Sequence, residues 1–324
     1  MKFLFICWFS AMHLIVFSQQ SLHSVRVILD TDIGPDYDDV GAVAVLHALA
    51  DRGEATPLAI LASNKNELVA PTINLLNTYF GRPDLPIGAP KGNAANFGAW
   101  QKWPQMLLSK YPHLISSTAQ VPDAVTIYRK ILSLQPDHSV TIVSTGFLTN
   151  LSNLLYSKPD RFSPLNGRQL VNKKVIQLVS MAGGFPKGRE YNLLIDSVAS
   201  EHVFNNWPTT VVFSGYEIGK DIKTGLGLVY DTSESGPVKD VFAFCIPKAK
   251  EDGAGRMSWD ETAVLVAIRG VKPYFGEKRG HIVIHGGFNQ WHDDPNGTQY
   301  YLTKLMPDEE ISAILEKYMK QLKQ

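Results

Sequence analysis

The sequence predicts an α/β protein: a mostly parallel open sheet with helices on both faces, in a single domain. Two observations carry this. Short apolar runs of strand character alternate with segments of helical period along the chain, the pattern of a parallel sheet covered on both sides. A length of 324 residues, with 44% hydrophobic and 19% charged residues, suits one large globular unit or two small ones. There is no internal repeat and no low-complexity tract.

The elements follow in order. Residues 25–29 are an apolar strand candidate, and the Ala/Val/Leu-rich 40–50 a helix. Residues 57–62 read as the next strand and 67–79 as the next helix, closed by Gly81. A helix over 123–134 leads to a strand over 140–143. Thr149 is placed to cap a helix over 150–156. Residues 175–179 form a strand ending at Met181-Ala182-Gly183-Gly184, and 209–213 another. Helices are expected over 261–269 and, amphipathically, over 308–321. Two loop-rich regions, 88–120 and 220–256, interrupt the pattern. Such loops serve as lids, binding loops, subunit contacts or plain excursions.

Charge and cysteine usage narrow the function. Lys+Arg 31 balance Asp+Glu 31, so a polycationic surface for nucleic acid is not expected. Lys2 followed by the apolar run 3–17 and Ser18-Gln19-Gln20 reads as a signal peptide over 1–20, ahead of a domain over 21–324. That reading makes the protein periplasmic or secreted, with no membrane segment after signal removal. An uncleaved anchor is the rival, but the run is short for a span. With Cys7 inside the leader, Cys245 is left alone and no intramolecular disulfide can form.

The most informative stretch lies just past the first strand. Asp30, Asp32, Asp36, Asp38 and Asp39 put five carboxylates within ten residues. Strand period places Asp30 and Asp32 on one face. Gly34 and Pro35 turn the chain, and Asp38 and Asp39 open the helix, where its dipole favours anions. An N-cap and a solvated turn account for one or two aspartates, not five. A hard cation held by Asp32 and Asp39 accounts for more. The carboxyl end of a strand entering a helix is also where α/β proteins keep ligands.

Asp30-Thr31-Asp32-Ile33-Gly34 with Asp38-Asp39-Val40-Gly41-Ala42 resembles the fingerprint of the inosine-uridine-preferring nucleoside hydrolases. Three more segments are similar and in the same order: Thr145-Gly146-Phe147-Leu148-Thr149-Asn150, Met181-Ala182-Gly183-Gly184 followed by Glu190-Tyr191-Asn192, and Trp259-Asp260 at the family's His-Asp pair. The resemblance implies a Ca²⁺ ion held by Asp32, Asp39, the Thr145 carbonyl and Asp260. It implies Asp32 as general base on a water, and Asp38, Glu190 and Asn192 on the ribose. Asn64 or Asn66 is a further sugar ligand. The implied reaction is hydrolysis of a ribonucleoside to ribose and free base, by a protein that associates into dimers or tetramers.

Two departures bear on specificity. Pro35-Asp36-Tyr37 lengthens the fingerprint, so Asp36 competes with Asp38 for the sugar. Trp259 stands where purine-type members carry an acid histidine; an indole stacks on a base or another aglycone but does not protonate it. A sugar or nucleoside binder without turnover on the same scaffold is therefore the alternative. An aspartyl phosphotransferase is a third reading, which leaves Glu190-Tyr191-Asn192 unexplained.

Overall fold

The computed structural model describes residues 24–320 apart from residue 234; the leader expected over 1–20 lies outside the described residues. Eleven strands are present among them. They are β1 (Val25–Thr31), β2 (Ala55–Ala62), β3 (Val140–Ser144), β4 (Val175–Met181), β5 (Lys187–Arg189), β6 (Thr210–Ser214), β7 (Lys223–Thr224), β8 (Arg256–Met257), β9 (Phe275–His285), β10 (Phe288–Asp293) and β11 (Gln299–Lys304). Nine make one sheet in the order β2-β1-β3-β4-β6-β11-β9-β10-β5, while β7 and β8 pair apart. From β2 to β11 every pairing is parallel, and the β11-β9-β10-β5 side is antiparallel. The expected mostly parallel sheet is therefore observed, extended by an antiparallel flank.

Alternation along β1 builds both layers. Val27 and Leu29 join the core packed around the helices Asp38–Asp51 and Trp259–Arg269. Ile28 joins the opposite core with Ile142, Leu178 and Val211. Each such aliphatic side chain taken from water is worth about 1.5–3 kcal/mol. The helix Asp38–Asp51 is buried along nearly its whole length, which explains its small residues. At Gly41 a Cβ would stand 2.1 Å from Glu261 Oε1, so no larger residue fits without displacing that side chain.

The 88–120 region contains the helix Trp103–Lys110, and the 220–256 region the helix Pro237–Cys245. The helix expected from 150 begins at Thr149, with Leu148 in the cap position. Thr149 is thus not the cap; its hydroxyl donates instead to Asp196 Oδ2 at 2.6 Å. Among the described residues no helix is long and apolar enough to cross a membrane.

β1 lies between β2 on one side and β3 on the other. The chain therefore winds in opposite directions from β1, and a crevice opens past its carboxyl end, where open α/β sheets bind ligands.

Candidate active site

The crevice is a cavity of about 250 Å³ whose walls include Asp32, Asp36, Asp38, Asp39, Thr145, Glu190, Asn192, Trp259 and Asp260. Its floor is assembled from the ends of separate elements. Asp32 follows β1, Thr145 follows β3, and Asp39 and Asp260 lie in the first turns of the helices Asp38–Asp51 and Trp259–Arg269. Two backbone bonds fix the crossing: Thr145 N–H donates to the Asp30 carbonyl at 2.8 Å and Ser63 N–H to the Thr31 carbonyl at 2.9 Å. Gly146 makes the approach tight enough, since a Cβ there would sit 2.5 Å from Asp32 N and 2.4 Å from Ser63 Oγ.

Asp30 and Asp32 do not share a face. β1 ends at Thr31, so the two-residue alternation no longer governs Asp32. Asp30 points into the opposite layer, where it accepts from Tyr128 Oη at 2.8 Å and from Asn150 Nδ2 at 3.1 and 3.2 Å. Asn150 Nδ2 also reaches the Ala62 carbonyl at 2.8 Å. The Asn of the Thr145–Asn150 turn is thus a strut tying β1 and β2 together.

The floor carboxylates crowd one another. Burial, then the charges of Asp39, Asp36 and Asp38, push the Asp32 carboxyl well above the usual carboxylate range. Asp39 is pushed up to about 7 by burial and by Asp38, against a hydrogen bond from Thr31. Burial and then the charges of Asp39, Asp38 and Asp32 do the same to Asp260. Thr145 Oγ1 also donates weakly to Asp39 Oδ1, at 3.4 Å. Among the described residues no group of three or more His, Cys, Asp or Glu side chains stands at ligating geometry. The donor chemistry nonetheless suits a hard cation: oxygen only, buried, and with an excess of like charge that a cation would relieve.

Arg256 organises the remaining acids, a role that no local signal announces because it lies 218 positions from Asp38. Its Nε and Nη2 donate to Asp38 Oδ1 at 3.1 and 2.8 Å, and Nη2 to Asp36 Oδ2 at 2.9 Å. The guanidinium sits 5.1 Å from the Trp259 ring centroid and 4.9 Å from that of Tyr37. Asp36 and Asp38 are thereby both held on the cavity wall, Asp38 buried and Asp36 half exposed.

On the facing wall, Glu190 caps the short helix Tyr191–Ile195, accepting from Asn192 N at 2.7 Å, Gly183 N at 3.2 Å and Leu193 N at 3.2 Å. Burial raises its carboxyl above the usual range against those three donors. Asn192 Nδ2 donates to the Met181 carbonyl at 3.2 Å and to the Thr145 carbonyl at 3.4 Å. The rim is aromatic. Tyr216 stacks on Trp259 with ring centroids 5.4 Å apart, and Trp259 Nε1 donates to the Tyr216 carbonyl at 2.8 Å. Tyr191 lines the other side beside Phe97 and Phe147. No histidine is among the lining residues.

Asn64 and Asn66 are placed differently from the rest. Neither lines the cavity. Asn64 Nδ2 donates to the Phe97 carbonyl at 2.7 Å and to the Asp32 carbonyl at 3.2 Å, and its Oδ1 accepts from Phe97 N and Asn66 N, both at 3.1 Å. Its amide is consumed in holding the 97 loop against the Asp32 turn. Asn66 Oδ1 accepts from Leu68 N at 3.2 Å.

Comparisons with known proteins agree with this architecture. The chain is 28% identical over 214 residues to a pyrimidine-specific ribonucleoside hydrolase, RihA, of Klebsiella pneumoniae, covering 60% of this chain and 61% of that protein. It thus spans about three fifths of the length of such curated relatives. It shares its fold with a purine-preferring ribonucleoside hydrolase from Gardnerella vaginalis, at TM-score 0.69 and 17% identity over 91% of this chain and 97% of the other. A plant nucleoside hydrolase, PpNRh1, superposes at TM-score 0.67 and 18% identity, over 91% and 99%. The four segments that close on one cavity here all fall within residues 27–299, the stretch matching the family described as inosine-uridine preferring nucleoside hydrolase, and the chain belongs to that family.

Proposed function

We propose that the protein is a calcium-dependent N-glycosyl hydrolase that converts a ribonucleoside and water into ribose and free base. The single observation behind this reading is the convergence of Asp32, Asp39 and Asp260 on one cavity floor from three separate elements. In this reading Asp32, Asp39, Asp260 and the Thr145 carbonyl hold the ion. When bound, Ca²⁺ offsets the carboxylate repulsion and acidifies a water.

Asp32, at the cavity floor, is placed to take the proton of the attacking water. The water oxygen bonds to C1′ as the C1′–N bond breaks, and the bond's electron pair leaves with the base, which takes up a proton from solvent. Positive charge building on the sugar faces an acid-lined wall, which lowers the barrier. Asp38, oriented by Arg256, is placed to accept from ribose hydroxyls, with Glu190 and Asn192 on the facing side. Trp259, already stacked on Tyr216, offers the base an apolar face. Asn64 serves here as a positioning residue behind Asp32, not as a sugar ligand.

Among the described residues no histidine lines the cavity, while Trp259 offers stacking rather than a proton; this favours bases that depart with little acid help, as well as the second reading of a ribose-recognising binder without turnover. Protein purified with Ca²⁺ is expected to release reducing sugar from at least one purine, pyrimidine or pyridine nucleoside, and to lose that activity on chelation and regain it with Ca²⁺. Calorimetric binding with no sugar released from any member of the panel would establish the binder instead. The hydrophobic leader supports a periplasmic or secreted protein, which N-terminal sequencing of the exported product tests. Association into dimers or tetramers is part of the same reading, checked by light scattering.

A further inference from the structure

Among the described residues, the cavity walls carry six carboxylates, those of Asp32, Asp36, Asp38, Asp39, Glu190 and Asp260, and one cation, Arg189. Among the described residues Arg189 makes no side-chain hydrogen bond or ion pair, although acids line the same space. Arg256, by contrast, is spent on Asp36 and Asp38.

The backbone holds Arg189 where it is. It ends β5, the edge strand, opposite Phe288 of β10, and the next residue is locked by the Glu190 cap. Lys187, two positions earlier on the same strand, shares its face, is exposed and likewise has no ion-pair partner among the described residues.

We propose that Arg189 is an anion subsite and that the protein accepts ribosides carrying a phosphate ester on the sugar. The inference rests on the reading above, in which ribose lies on the acid floor. An anion cannot settle among buried carboxylates, so a phosphorylated ligand must enter with its neutral ring on the floor and its charge at the rim. Arg189 stands at the rim beside Glu190 and Asn192, the residues assigned to the sugar. A guanidinium meets two phosphate oxygens at once, and Lys187 adds a second positive charge to the approach.

The test measures competition by ribose, ribose 5-phosphate and inorganic phosphate, read from the tryptophan emission of the rim in the Ca²⁺-loaded protein. Ribose 5-phosphate is expected to bind about tenfold or more tightly than ribose, with the advantage shrinking as salt rises. Arg189→Met is expected to abolish that advantage and Arg189→Lys to retain part of it. Ribose 5-phosphate binding no better than ribose, an advantage that survives Arg189→Met, or inorganic phosphate competing as well as the sugar phosphate would each overturn the proposal. The readout needs no turnover. An Arg189-dependent phosphate preference in a protein that hydrolyses nothing would sink the hydrolase reading and leave this one; nucleoside hydrolysis with no such preference would do the reverse.

Discussion

Asp30 and Asp32 are two residues apart, both buried, and surrounded in opposite ways. Asp30 has three hydrogen bonds from Tyr128 and Asn150 and no acid facing it. Asp32 faces Asp39, Asp36 and Asp38. Both carboxyls are pushed up by burial, Asp30 to about 7. A displaced acidity therefore does not tell a strut from a reactive group. What surrounds the oxygens does: donors around Asp30, competing charge around Asp32. Buried polar groups that have their partners hold a fold together, whereas unrelieved like charge costs stability and marks chemistry.

The sharpest contrast comes from truncating each residue. Asp32→Ala is expected to lower hydrolysis about a thousandfold while the melting temperature without divalent ions holds or rises, because a repelling charge is gone. A melting point that falls with the activity would break the comparison by making Asp32 a strut too. Arg256→Met removes the cation between Asp36 and Asp38 and strands a buried carboxylate; the cost is expected to be about 3–5 kcal/mol in denaturant titration. Activity would fall with it, since Asp38 loses its orientation.

Asp30→Ala leaves the Tyr128 hydroxyl and the Asn150 amide without their acceptor, at a cost of about 3 kcal/mol. The residual activity per folded molecule should remain close to that of the parent protein. A further effect is spread over pH. Asp30 is raised in the folded chain, so between its ordinary range near 4 and about 7 the folded state holds more protons than the unfolded state. Its contribution to stability is complete in acid and is lost as pH rises through that window. Asp30→Asn should flatten the decline by up to ~1.4 kcal/mol per pH unit, measured without divalent ions. An unchanged slope would show that Tyr128 and Asn150 hold the carboxylate ionised.

The parallel half of the molecule was readable because β1, β2, β3, β4 and β6 are short, mostly apolar runs set between helical segments. Asp32, Asp39, Thr145 and Asp260 were named through the family resemblance, and all four line the cavity. The antiparallel flank was not: β9 and β10 alternate buried and exposed residues, and β9 opens on the charged Glu277-Lys278-Arg279. Arg256 was invisible because its partners are distant in the chain, and Arg189 because a lone arginine on a three-residue strand has no pattern. Asn64 was harder to assign because a polar residue after a strand suits a ligand and a loop brace equally well; here it makes four bonds that tie the 97 loop to the Asp32 turn. Tyr191 lay inside the Glu190-Tyr191-Asn192 segment, and its ring contacts with Phe97 and Phe147 place it at the rim.

The clamp from Arg256 to the acid wall has a bearing on synthesis. A ribosome delivers Asp30 through Asp39 early and the guanidinium that pacifies Asp36 and Asp38 only after three quarters of the chain has emerged. Until then the first strand and its helix carry an anionic knot with nothing to quench it. A nascent fragment ending before residue 256 should stay open and protease-sensitive at that knot, so premature termination yields loose chains rather than partly working enzyme.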